Sequence, residues 1–478
     1  MAEGQGLFVG GTSSNAGKSW MVTAICAWLR RRGVSVAPFK AQNMSNNSYP
    51  CAAGGEIGRA QVAQAEACGL EPEPAMNPIL LKPTGQGRSQ VVVNGRVWKT
   101  LAAREYYAAA GELRPHVMAA YADLAKRFDV VVIEGAGSVS ELNLRGHDLV
   151  NLGLVTALDV PWIVVADIER GGVFASVVGT VQLLTAHERD LFRGFAINKF
   201  RGDLSLFDDG VRILEEKTAA PCLGVFPFAA DVHLDAEDSL ALDTRRRTPP
   251  PPGARIAIVR LPHLSNATDF RLLTWAEWID APPAADYDFV VLPGTKNTAG
   301  DLGWLHRTGL ARWIANQHTS GATIVGICGG FQMLGRRVAD PSAVESIEPL
   351  SEGLSLLPAE TVITEHKRTE AVRARLPDGV TFGAYAIHAG RTQATERDVE
   401  PFAVLEDGSP DGMRRARVIG TYLHGALENP GVCEHVFGVR PPGDLKQASY
   451  DRLADWFETY ARHVDRWGVP ALKRTVAS

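Results

Sequence analysis

Short apolar runs alternate with longer amphipathic stretches along most of this chain. Residues 7–10, 34–38, 130–134, 162–167 and 194–198 are brief and rich in β-branched and aromatic side chains, as buried strands require. Residues 19–32 and 177–187 are longer and carry apolar positions at helical spacing. Near-continuous apolar strands separated by helices predict a parallel sheet covered on both faces. The pattern breaks at 244–252, where three arginines and four prolines (Pro249 to Pro252) precede Gly253. That stretch packs neither as strand nor as helix, so it reads as a linker. A fresh alternation starts at 254–260 and continues through 287–293 and 323–327. The predicted organisation is therefore α/β with two domains, each a mainly parallel sheet covered by helices. They span 1–240 and 253–478, joined by an Arg/Pro-rich linker at 241–252.

Length agrees with this, since 478 residues exceed what one core holds. Charge narrows the partners. With 49 basic and 54 acidic residues the net charge is -5, and no basic patch or polybasic run points to nucleic acid or to a membrane. No stretch has the shape of a signal peptide or the length of a bilayer span. Six cysteines (26, 51, 68, 222, 328 and 433) lack CxxC spacing, which argues against a disulfide framework and a structural zinc site. A cytoplasmic location is expected.

Two segments carry chemistry. The first strand runs into Gly10-Gly11-Thr12-Ser13-Ser14-Asn15-Ala16-Gly17-Lys18-Ser19, which opens the first helix. Backbone N–H groups of such a loop ring a phosphate, and the helix end adds favourable partial charge. Lys18 would reach the outer phosphates and the Ser19 hydroxyl would hold Mg2+. Five residues rather than four separate Gly11 from Gly17. A carboxylate for the metal comes from Glu134, which ends an apolar strand before Gly135-Ala-Gly-Ser138 and so points into a ligand crevice. Lys40 closes the second strand and could bind a phosphate or an anionic substrate. Asp148, Asp167 and the Asn198-Lys199 pair close other strands or loops on the same edge.

In the second domain an apolar run (Ile324, Val325, Ile327) ends at Cys328, followed by Gly329, Gly330 and an apolar segment. Strand, sharp turn and helix in that order expose a nucleophile at the strand's end. The helix terminus favours a thiolate and an oxyanion. The bland alternative is a buried free cysteine. A nucleophile needs a base, and the domain offers His366, His388, His424, His435 and His463. His424 closes a β-like run before a glycine, and His388 is its rival. The Gly329 N–H and the turn around Gly294 could supply oxyanion donors.

Together these residues resemble the cobyric acid synthase family of glutamine-hydrolysing ligases in cobalamin biosynthesis, over nearly the whole chain. The matching segments are Lys40-Ala-Gln-Asn43-Met-Ser45, Gly55-Glu-Ile-Gly-Arg-Ala-Gln61, Met76-Asn-Pro-Ile-Leu-Leu-Lys82-Pro-Thr84, Glu134-Gly-Ala-Gly-Ser138, Ala166-Asp-Ile-Glu-Arg-Gly-Gly-Val-Phe174, Asn198-Lys-Phe-Arg-Gly202 and Leu292-Pro-Gly-Thr-Lys-Asn297, with the Cys328 and His424 segments; the Asn-Met-Ser and Asn-Pro-Ile-Leu-Leu-Lys-Pro blocks are the specific ones. The phosphate loop alone is also similar to that of dethiobiotin synthetase, and the Cys328 turn to class I glutamine amidotransferases in general. The resemblance implies that Cys328 attacks glutamine, His424 shuttles protons and Gln332 lies near the bound glutamine. It implies that Gly11, Thr12, Gly17, Lys18, Ser19 and Asn198 bind ATP, and that Lys40, Asn43 and Lys82 meet the substrate. ATP with Mg2+ would activate the b, d, e and g carboxylates of adenosylcobyrinic acid a,c-diamide for amidation, with no tightly bound cofactor. The implied partners are corrinoid, L-glutamine and ATP; a homodimer stays open.

Two departures stand out. The acid found two residues after the histidine in many such amidotransferases is here Ala426, which implies a Cys-His dyad and a slow glutaminase. Ala386 stands where the family often has glutamate. Cobyrinic acid a,c-diamide synthase is the nearest rival. A partitioning-type ATPase with an inert second domain, or a P-loop kinase, is the rival from another class.

Overall fold

A computed structural model describes residues 6–45, 47–52, 54–85, 87–229, 232, 248–346, 348–443 and 445–468. Much of the expected linker, 241–247, lies outside them. Residues 248–252 form no helix or strand. The chain folds into two compact units, Met1–Ser45 with Gly55–Asp235 and Asp444–Ser478, and Asn46–Gly54 with Ala236–Gly443.

The first unit is built on a six-stranded parallel sheet in the order Cys222–Pro227, Phe192–Phe200, Trp162–Asp167, Gly6–Gly11, Val130–Glu134, Val36–Phe39. Nearly every residue of its central strands is buried, which is why they read as unbroken apolar runs. The chain leaves the central strand Gly6–Gly11, builds one side of the sheet and then crosses to the other. The carboxyl ends of the strands on either side of that reversal form the crevice where α/β sheets bind ligands. A four-stranded sheet of Gln42–Met44, Ile79–Gly85, Arg88–Val93 and Arg96–Ala102 stands beside it.

The expected helix at 19–32 is observed as Lys18–Arg31. The stretch at 177–187 instead contains two helices, Val173–Gln182 and Ala186–Leu191. Thr185 starts the second: its hydroxyl accepts the Glu188 N–H, and Glu188 reaches back to the Thr185 N–H. This reciprocal cap favours a new helix over continuation.

The second unit holds another mainly parallel sheet, ordered Glu277–Ile279, Ile256–Val259, Phe289–Leu292, Thr323–Ile327, Val418–Thr421, Met413–Arg415, with the last strand antiparallel. A long antiparallel hairpin, Ala359–Arg375 with Thr381–Ala394, belongs to a second sheet. No helix among the described residues is long and apolar enough to cross a membrane.

The units are not the two simple segments 1–240 and 253–478. The helix Leu445–Tyr460 belongs to the first unit. Its Phe457 packs edge-on against Trp28 and Trp467 and stacks on Phe226. Arg31 pairs with Asp455 and Glu458 on the surface of the same contact, but exposed pairs contribute little next to buried aromatic area. Conversely, Asn46–Gly54 belongs to the second unit. There the Asn47 side chain accepts the Asn266 N–H at 2.8 Å, and the Tyr49 ring lies 4.8 Å from that of Tyr385.

Phe457→Ala removes a fully buried ring and is expected to destabilise the first unit by about 3–5 kcal/mol. Urea unfolding followed separately through nucleotide binding and glutamine hydrolysis checks this. The nucleotide-binding transition should move to lower urea, and movement of the hydrolysis transition alone would contradict the packing.

Candidate active sites at the carboxyl ends of two sheets

In the first unit the phosphate loop leaves the strand Gly6–Gly11 and turns into the helix Lys18–Arg31. Gly17 has φ 99°, and a Cβ there would lie 2.0 Å from Asn198 Nδ2, so only glycine fits. Asn198 donates to the Ala16 carbonyl at 2.9 Å, and Lys199 bridges the Asn15 carbonyl (2.6 Å) and Asp167 (2.8 Å). These two residues therefore brace the loop from the next strand but one. Lys18 folds over the loop, donating to the carbonyls of Ser13 (3.1 Å) and Gly137 (2.8 Å). A Cβ on Gly11 would sit 3.0 Å from the Lys18 side chain. Thr12 N–H is bound to the Val165 carbonyl, 3.0 Å away.

Glu134 is the hub of this site. Its Oε1 accepts from Ser19 Oγ at 2.7 Å and pairs with Lys40 Nζ at 2.9 Å, while Gln64 donates to Oε2. Burial opposes its charge. Lys40 and the hydrogen bonds from Ser19 and Gln64 outweigh that and hold the carboxyl below its ordinary range. Lys40, expected at an anionic ligand, is thus paired with a carboxylate and only 4% exposed. Lys82 is likewise buried on Glu56 at 2.6 Å, and Asn43 donates to Gln61 at 2.8 Å. The three substrate candidates belong to one buried polar layer around the helix Arg59–Cys68. Sequence reasoning missed Gln64. Its signal is a polar residue on a helix whose other positions are nearly all buried.

Ser19 and Glu134 offer hard oxygen donors, and among the described residues no cluster of three or more His, Cys, Asp or Glu forms a metal cage. One carboxylate, one hydroxyl and phosphate oxygens are a donor set that suits Mg2+.

The second unit gathers four groups from four neighbouring parallel strands. Cys328 follows Thr323–Ile327 with φ 52° and ψ −109°. A non-glycine residue held there is strained, as nucleophile turns are. The turn is possible because its neighbours lack side chains: a Cβ on Gly329 would be 2.5 Å from Thr295 Cγ2, and one on Gly330 2.0 Å from the Leu292 carbonyl oxygen. The two expected oxyanion turns, at Gly294 and Gly329, therefore abut. A Cβ on Gly294 would in turn lie 2.8 Å from His424 Cε1. The Cys328 thiol donates to the Ile387 carbonyl at 3.6 Å.

His424, at the end of the short strand Leu423–His424 that follows Val418–Thr421, is fully buried and hydrogen-bonds Cys328. Its Nδ1 lies 2.7 Å from Asp269 Oδ2, and Asp269 Oδ1 accepts the Gly425 N–H at 2.8 Å. Burial works against the imidazolium, but Asp269 and then Cys328 override it and push His424 up to about 10. This corrects the expected Cys-His dyad. Ala426 supplies no acid, yet an acid orients the histidine from the loop after Ile256–Val259. The signal was Ser265-Asn-Ala-Thr-Asp269, a polar loop after a parallel strand.

Gln332 is 2% exposed. Its Oε1 accepts from Thr298 Oγ1 at 2.8 Å, and its amide nitrogen reaches the Tyr422 hydroxyl at 3.4 Å. Of the rival histidines, His366 and His463 are exposed, and His435 pairs with Asp378. Ala386 is buried in register with Leu423.

A phosphate-binding α/β unit and a cysteine–histidine–acid unit on one chain define a nucleotide-binding glutamine amidotransferase. Residues 7–241 match the CobQ/CobB/MinD/ParA nucleotide binding domain, and 255–432 match the CobB/CobQ-like glutamine amidotransferase domain. A cobyric acid synthase of Syntrophobacter fumaroxidans is 42% identical over 95% of this chain and 96% of its own. A probable cobyric acid synthase of Methanoculleus marisnigri is 45% identical over 96% and 97%. The chain belongs to the cobyric acid synthase family and is a glutamine-dependent ligase of cobalamin biosynthesis.

Asp269→Asn is expected to lower the turnover of glutamine hydrolysis about 100- to 10,000-fold, the range for an orienting acid beside a catalytic histidine. Steady-state ammonia release checks it. There is also a pH signature. His424 is raised from 6.5 to about 10, so its pairing contributes stability in full below about pH 6.5 and loses it as pH rises through 10. Thermal melts of the wild type should fall across that window, and those of Asp269→Asn should fall less.

Proposed function

We propose that this chain uses ATP to activate the b, d, e and g carboxylates of adenosylcobyrinic acid a,c-diamide and amidates them with ammonia drawn from glutamine. The observation that carries the reading is the Cys328–His424–Asp269 arrangement on the same chain as the phosphate loop. A thiol nucleophile alone would serve a hydrolase, and a phosphate loop alone a kinase. Joined, they answer one chemical need: a carboxylate is a poor electrophile, and a weakly basic leaving group must be installed before ammonia can displace it.

The Cys328 thiolate attacks the side-chain carbonyl of glutamine. The oxyanion forms beside the Gly294 and Gly329 turns. As the C–N bond breaks, the imidazolium of His424 gives its proton to the leaving nitrogen, and ammonia departs. Water, deprotonated by His424, then cleaves the glutamyl thioester. Asp269 holds the imidazole in the tautomer and orientation both steps need. Gln332 shapes the wall behind the bound glutamine.

In the first unit a substrate carboxylate oxygen attacks the γ-phosphorus of ATP and ADP leaves. Ammonia then adds to the acyl phosphate and phosphate departs, leaving the amide. Lys18, Gly11, Thr12 and the loop N–H groups around Gly17 bind the phosphates, with Asn198 keeping the loop in shape. Ser19 and Glu134 would hold Mg2+, which neutralises phosphate charge. Lys40, Asn43 and Lys82, paired in the same buried polar layer, are the residues assigned to the substrate in this reading. Partners in this reading are small molecules: corrinoid, L-glutamine and ATP, with no nucleic acid, membrane or tightly bound cofactor. A cytoplasmic homodimer is part of the same proposal. The a,c-diamide synthase reading is less favoured because both relatives carry the cobyric name.

Cys328→Ala separates the two chemistries. With ATP and the corrinoid diamide, product masses should show no amidation from glutamine and retained amidation from added ammonia. Loss of both would mean that Cys328 supports the fold rather than the nitrogen supply.

A further inference from the structure

His388 lies on the strand Thr381–Ala394, one residue after the carbonyl that receives the Cys328 thiol. Its ring stacks on Tyr422, with centroids 3.8 Å apart and planes 18° apart. Nδ1 sits 2.7 Å from the Gly390 carbonyl oxygen. A carbonyl only accepts, so Nδ1 carries the proton. Burial, the first cause, outweighs the Gly390 bond and lowers His388 to about 4, with Arg368 and His424 adding to the shift. The ring is therefore neutral near pH 7, and Nε2 presents a lone pair. Nε2 is buried with no hydrogen-bond partner among the described residues. Buried acceptors are rarely left unmet unless something else completes them.

The neighbours of this ring belong to the glutaminase. Tyr422 reaches Gln332 (3.4 Å) and Thr392 (2.6 Å). Ile387, next along the strand, touches the reacting sulfur. The orphan acceptor thus belongs to a ring packed among residues that touch Gln332 and the Cys328 sulfur. Glutamine brings two kinds of N–H donor, an α-ammonium and a side-chain carboxamide. A neutral imidazole nitrogen suits the neutral donor; an ammonium is better met by a carboxylate. The carboxamide is also the group adjacent to the attacked carbon.

We propose that His388 is a substrate-binding residue whose Nε2 accepts a hydrogen bond from the carboxamide N–H of glutamine. The bond would turn the other face of that nitrogen toward His424, which protonates it as it leaves, and would favour glutamine over ligands lacking the N–H. This rests on the Cys328 reading above and deepens it.

The test compares L-glutamine with L-glutamate γ-methyl ester, which keeps the α-groups and the reactive carbonyl but has no carboxamide N–H. His388→Phe keeps a ring against Tyr422 and removes the acceptor. His388→Gln places an oxygen near the position of Nε2. For His388→Phe, kcat/KM should fall about 10- to 100-fold on glutamine, as for loss of one buried hydrogen bond, and by less than about 3-fold on the ester. His388→Gln should regain part of the glutamine loss. Circular dichroism and thermal melts report whether each variant is folded, and if the phenylalanine variant fails that check, the glutamine variant carries the comparison. Equal losses on both substrates, or no loss on either, would overturn the proposal. A wild type that releases no ammonia from glutamine would instead bring down the Cys328 reading.

Discussion

The second unit depends on one buried contact, His424 against Asp269. Two groups that prefer water are held away from it, 2.7 Å apart, each almost fully buried. Burial alone would disfavour the His424 imidazolium, because desolvating a single ion costs several kcal/mol. The Asp269 contact offsets that, and the Gly425 N–H takes up the second carboxylate oxygen. The result is an imidazole fixed in place beside the Cys328 sulfur and biased toward its charged form. The backbone accepts strain to put the sulfur there, with φ 52° at a residue that has a side chain. The glycines around it are consequences of the same geometry, since backbone and ring approach too closely for any Cβ.

The first unit solves a parallel problem with a different pair. Glu134 and Lys40 are buried nearly as deeply as His424 and Asp269, and their contact is likewise set at the carboxyl end of a parallel strand. Here the pairing keeps an oxygen donor ionised within reach of the phosphate loop. Ser19 and Gln64 hold the remaining positions of that carboxylate. Both sites thus rest on a buried ion pair completed by hydrogen bonds, the arrangement in which such pairs are tolerated. The segment that starts at Lys40 also matters covalently. It continues into Asn47 and Tyr49, which pack in the second unit against Asn266 and Tyr385. Tyr385 stacks on His424, 5.4 Å between centroids.

What the sequence disclosed follows from locality. The parallel strands were legible because both faces are covered, so every residue is apolar; Val130–Glu134, Trp162–Asp167 and Thr323–Ile327 agree with expectation to the residue. The phosphate loop and the Cys328 turn were legible because each is a short segment with a fixed backbone shape. Asp269 was not, because it meets a partner 155 residues away, and nothing in its own loop says which histidine it faces. The antiparallel hairpin Ala359–Arg375 with Thr381–Ala394 escaped notice because its strands alternate with many charged, exposed residues. The helix Leu445–Tyr460 was not foreseen as part of the first core, since an amphipathic face does not name the surface it covers.

The most direct measurement is an NMR titration of 15N-histidine-labelled protein, with His424 assigned through His424→Gln. The account predicts that the His424 ring nitrogens stay protonated until the pH approaches about 10, and that Asp269→Asn shifts that titration sharply downward. A wild-type His424 that titrates near its ordinary value of 6.5, unmoved by Asp269→Asn, would contradict it.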